Sequence, residues 1–90
     1  MYENLEEKLT KMPDGKKLYR QEQTILEVTE LICQLLEEQN VTREELAIRL
    51  NKTKEYVTKM LDGRINLTIR MISDIFFVLN NKVHILLEED

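Results

Sequence analysis

Two helix-start signals stand so close together that only a tight turn fits between the helices they open. Thr42-Arg43-Glu44-Glu45 reads as a capping box, in which the Thr42 oxygen accepts from the third helical amide and Glu45 reaches back. Val41 and Leu46 flank it at the spacing of a hydrophobic staple. That helix carries Leu46, Ala47 and Leu50 on its inner face and stops at Asn51, a residue type that tolerates the left-handed backbone ending a helix. Only Asn51-Lys52 separate it from Thr53, the N-cap of a further helix. The inner face of this further helix is Tyr56, Val57, Met60 and Leu61, and its end is Gly63.

The flanking segments read as helices too. Leu18, Ile25, Val28, Ile32, Leu35 and Leu36 recur at helical spacing, with Leu26 and Leu31 widening the stripe. Asp14 is the expected cap of this helix, after the Pro13-Asp14-Gly15 turn, and Asn40 its expected end. After Gly63, the loop Arg64-Ile65-Asn66-Leu67 leads to Thr68 as the next N-cap, with Leu67 and Ile72 as its staple. The last helix carries Ile69, Ile72, Ile75, Phe76 and Leu79 inward, and Asn80-Asn81 stop it. In the tail, Val83, Ile85 and Leu87 alternate as on one face of a strand that has no partner in the chain. The expected fold is all-α: a four- to five-helix domain over 16–81, an arm or short helix over 1–15, and a strand-like tail over 82–90 that offers a dimerisation strand.

Ninety residues suffice for one small core. No apolar run approaches the roughly 20 residues that span a bilayer, and the start Met1-Tyr2-Glu3-Asn4-Leu5 lacks the basic, then apolar, order of a secretory signal. A cytoplasmic protein without membrane partners is therefore expected. Cys33 is the only cysteine, which rules out an internal disulfide, and its setting among Leu31, Ile32, Leu35 and Leu36 suggests a small buried thiol. His84 is the only histidine, with no cysteine cluster near it, so no metal or other cofactor is expected. Ser73 and His84 lack the glycine-rich elbow of a hydrolase, and enzymatic activity is not expected. The glutamate runs Glu6-Glu7 and Glu37-Glu38, with Glu88-Glu89-Asp90, read as solvated faces.

The overall charge of −4 speaks against nucleic acid, but its distribution does not. Residues 1–42 hold five Lys/Arg against nine Asp/Glu, residues 43–70 seven against four, and residues 71–90 one against four. A basic middle between acidic ends suits a DNA reader, because affinity depends on neutralising phosphates locally.

Two short helices joined by a turn of about three residues, with a small residue inside the first, make a helix-turn-helix unit. Ala47 lets the helices cross closely, Asn51 permits the reversal, and Val57 fills the space between them beside Leu46, Leu50 and Met60. The stretch VTREELAIRLNKTKEYVTKMLDGRINLTIRMISDIFFVLN, residues 41–80, resembles the Cro/phage-repressor (xenobiotic-response-element type) helix-turn-helix domains. The resemblance rests on the Thr-x-Glu-Glu-Leu-Ala start, the Tyr-Val-Thr-Lys segment, the glycine after it and the Asn-Leu-Thr start of the last helix. With residues 24–40 as first helix it covers nearly two-thirds of the chain. It implies a lambda-repressor-like fold and sequence-specific binding of double-stranded DNA by a two-fold homodimer, as a transcriptional regulator or repressor. Antitoxins that hold a toxin protein as well as an operator use similar domains, and a module that binds only protein is a further alternative. The chain departs from the family at Asn51, where glycine is usual, and at Lys52, where a small apolar residue is usual. The glutamine often found early in the second or third helix is replaced by Arg43 and Lys54, so no base preference carries over.

On this reading Lys54, Glu55, Thr58 and Lys59 face base edges: lysine toward guanine acceptors, glutamate toward the cytosine amino group, threonine toward either edge or a thymine methyl. Arg43, Lys52, Thr53, Arg64, Asn66 and Arg70 are the phosphate candidates, with Thr53 a cap first and Asn66 equally able to order its own loop. Tyr56 can add a hydroxyl from a mostly buried ring.

Overall fold

The computed structural model describes residues 14–89; the arm or short helix expected over 1–15 lies, up to residue 13, outside the described residues. Those described form α1 (Gly15–Gln39), α2 (Arg43–Leu50), α3 (Lys54–Leu61) and α4 (Ile69–Val78). The described chain is all-helical.

Threonine starts three of the helices by one device. The Thr42, Thr53 and Thr68 hydroxyl oxygens accept from the amides of Glu45, Tyr56 and Met71 at 3.1, 3.0 and 3.1 Å. Each satisfies a donor that the first helical turn leaves without a partner, a contribution of about 1 kcal/mol. Among the described residues, no reciprocal bond from the Glu45 carboxylate completes the capping box.

The helix ends share a second device. A residue with positive φ follows each: Asn40 (53°), Asn51 (57°), Gly63 (74°) and Asn80 (62°). At each, two amides fold back on the last turn, as where Gly63 donates to the Met60 carbonyl at 3.1 Å and Arg64 to the Lys59 carbonyl at 2.9 Å. After α1 the motif is sealed by Val41 over Leu36, both buried. After α2 the corresponding residue is Lys52, whose ammonium instead lies 5.2 Å from the centroid of the Tyr56 ring.

The core is assembled from all four helices. Ile32, Leu46, Val57, Met60, Ile75 and Leu79 are fully buried, and Ala47 sits at 3% exposure. Each large side chain contributes roughly 1.5–3 kcal/mol of burial. Helix α3 packs against both α1 and α2, and α2 also holds α4. The end of α4 is tied down by polar side chains: the Arg49 guanidinium donates to the Val78 carbonyl at 3.0 Å and the Gln39 amide to the Leu79 carbonyl at 2.7 Å. A cation is well placed at that negative helix end.

Several expectations are corrected. Asp14 makes no side-chain cap, because it lies in left-handed backbone (φ 61°) rather than the extended form from which a cap reaches the first turn. Cys33 is exposed, since Thr29, Ile32 and Leu36 define the buried edge of α1 and the next position turns away. Leu18, Ile25 and Leu31 are exposed as well, at 36–52%: Leu31 turns away from the side of α1 that Thr29, Ile32 and Leu36 bury, and Leu18 and Ile25, on that side, are only partly covered. Ile69 lies on the inward side of α4 by spacing, yet is 74% exposed in the first turn, where no neighbour covers it. The tail, expected to be strand-like, forms no strand among the described residues, and these hold no second strand for it to pair with.

Candidate nucleic-acid interface

Helix α3 has two different sides. Val57 and Met60 have no exposed surface and Leu61 is buried, which fixes the helix against α1 and α2. Lys54, Glu55 and Lys59 are exposed and Thr58 is half-buried. Of the residues expected at base edges, all four therefore lie on one short helix, with threonine the most recessed. Thr53 caps this helix; its oxygen accepts from Tyr56, leaving the hydroxyl proton available to a partner outside.

The cations around α3 fall into two groups. Lys54 pairs with Glu44 of α2 at 3.0 Å, Arg64 pairs with Asp62 at 2.9 Å, and Lys52 rests on the Tyr56 ring. These ion pairs are open to solvent, with side-chain exposures of 58% and 66% in the first and 61% and 46% in the second. Exposed pairs of this kind are worth about 0–1 kcal/mol, so a phosphate or base acceptor can compete for either cation. Arg43, Lys59 and Arg70 are exposed, and among the described residues they have no ion-pair partner.

Asn66 is exposed in the loop between α3 and α4, and its side chain makes no hydrogen bond among the described residues. The loop is held by other means: Ile65 and Leu67 pack against the core on either side of it. Asn66 is thus presented outward. The Tyr56 hydroxyl behaves differently. It points to the Met71 sulfur of α4, donating at 3.9 Å, while the ring carries Lys52.

Three residues that shape this surface were not singled out in the sequence. Glu44 holds Lys54, Met71 receives the Tyr56 hydroxyl, and Arg49 is withdrawn from the basic segment to bind the Val78 carbonyl. All three act between different helices, so no spacing rule within one helix could have found them. No group of three or more metal-ligating side chains occurs among the described residues, and no described helix is long and apolar enough to cross a membrane. Comparison of the chain with protein-family models, with curated proteins and with solved structures yields no match.

Proposed function

We propose that Thr42–Gly63 is a helix-turn-helix unit and that the protein is a transcriptional regulator that reads double-stranded DNA through α3. The observation that carries this reading is the division of α3: an apolar side with no exposed surface at Val57 and Met60, and a polar side offering Lys54, Glu55, Thr58 and Lys59. A helix of about 12 Å length, held rigidly and polar outward, matches what the major groove admits. Arg43 at the start of α2, Lys52 and Thr53 in the turn, and Arg64, Asn66 and Arg70 beyond α3 supply the backbone contacts that set its register. One such unit touches few base pairs, so two copies related by a two-fold axis read half-sites about 34 Å apart.

Selection of bound sequences from a random duplex library at moderate salt tests the proposal. The expected result is an enriched palindromic motif. Absence of enrichment, repeated at low salt, would overturn DNA reading and leave a module that binds protein alone.

A further inference from the structure

Helix α1 and the end of α3 come close at Gly63, where a Cβ would stand 3.3 Å from the Ile25 Cγ2. Beside this approach they leave an open groove of about 430 Å³, lined by the apolar groups of Ile25, Leu26 and Leu61 and running along α1 from Tyr19 to Thr29. Polar groups in it are already engaged: the Thr29 hydroxyl donates to the Leu26 carbonyl at 3.1 Å, and Asp62 holds Arg64 at 2.9 Å. Among the described residues no buried side-chain nitrogen or oxygen lacks a partner. The groove therefore calls for an apolar surface rather than a polar ligand.

The chain itself supplies such a surface. In residues 1–13, which precede the described part, Tyr2, Leu5, Leu9 and Met12 recur at intervals of three, four and three, the spacing of one helical stripe. As a helix, Tyr2 to Met12 would span about 15 Å, the same length as Tyr19 to Thr29 on α1. Pro13 steers Met12 out of helical backbone, and Asp14 has left-handed backbone (φ 61°) directly before α1. Met12-Pro13-Asp14 is thus a connection of the length that joins antiparallel helices. The charges fit as well. At about 100° per residue, Glu6 and Lys8 flank the stripe on opposite edges, and Arg20 and Glu22 flank the Tyr19-Gln23-Leu26 line of α1 on opposite edges. Antiparallel packing brings the Glu6 edge to Arg20 and the Lys8 edge to Glu22. From this match we infer that residues 2–12 fold back as a helix and fill the groove between α1 and the end of α3. The short tether favours this occupant over a second copy or a foreign helix, because its effective concentration is high.

The docked segment needs no DNA, and neither does its test. With Cys33→Ser as background, Leu5→Cys with Gln23→Cys should form a disulfide within one chain on mild oxidation. It should form on the order of tenfold faster than in Glu7→Cys with Gln23→Cys. Leu5 lies level with Gln23 on the docked face, whereas Glu7 lies on the far side of the segment. Glu7 is nearer to Gln23 along the chain, so a loose segment would join it at least as fast. In thermal unfolding of the full chain, Leu9→Ser should lower Tm by roughly 4–8 °C, and Glu7→Ser should leave it unchanged. Equal crosslinking rates, disulfide-linked dimers in place of the intrachain product, or an unchanged Tm for Leu9→Ser would each overturn the proposal. Dimers would give the groove to a second copy, and equal rates would leave it to a partner protein.

Discussion

Residues 42–63 and residues 82–89 both carry closely spaced large apolar side chains, and they treat them in opposite ways. In the first segment Leu46, Val57 and Met60 have no exposed surface; in the second, Leu86 and Leu87 are at least 90% exposed. Hydrophobicity does not separate them. The helical segment has caps at both ends of each helix and a spacing of 3 and 4 that gathers its apolar groups on one side, where α2 and α3 face each other and α1 and α4 complete the cover. The tail has period-2 spacing, which needs a paired strand before its apolar face becomes a surface at all. An apolar pattern is buried only where its period and its neighbours agree.

Substitutions can test that contrast, beginning with the largest effect. Leu46→Ala removes a fully buried side chain and should lower the unfolding free energy by roughly 2–5 kcal/mol. Leu87→Ala, in the same urea titration at a concentration low enough to keep the chain monomeric, should shift it by less than about 0.5 kcal/mol. Equal effects would erase the distinction between the two regions. On the polar side of α3, Lys59→Ala should cost roughly 1–3 kcal/mol on the selected operator and change its base preference. Lys52→Ala should instead weaken all duplexes alike and flatten the dependence of log affinity on log salt by about one unit. Anisotropy titrations across a salt series separate these, and identical behaviour would remove the division into base and phosphate contacts.

Two smaller effects concern how α3 is framed. Gly63 has φ +74°, and a Cβ there would meet the Ile25 Cγ2 at 3.3 Å. Gly63→Ala should therefore destabilise by about 1–2 kcal/mol, visible as a lower Tm. Thr53→Ala removes the bond to the Tyr56 amide and should cost about 1 kcal/mol. A cap loss of that size with unchanged DNA affinity would show that Thr53 serves the helix alone.

The helix ends were the most legible part of the chain. Thr42, Thr53 and Thr68 act as caps, and Asn40, Asn51, Gly63 and Asn80 end the helices, as read from residue type and order. These interactions close within a few residues, so local sequence contains both partners. The same holds for the inner positions Leu46, Ala47, Val57 and Met60, where spacing and burial coincide. Asp14 failed because a capping residue works only from extended backbone, and residue identity does not specify that.

Other features depended on groups far apart in the chain. Spacing assigned Leu18, Ile25 and Ile69 to inward faces, but only the reach of the neighbouring helices decides whether an inward face is covered. The engagement of Lys54 by Glu44, the withdrawal of Arg49 to the Val78 carbonyl and the orientation of the Tyr56 hydroxyl toward Met71 are likewise decided by how helices are juxtaposed. Sequence alone determined where helices start, stop and turn, because those choices rest on dihedral preferences and bonds a few residues long. The tertiary structure decided which side chains on those helices are covered, paired or left for a partner, because that depends on neighbours brought close only by folding.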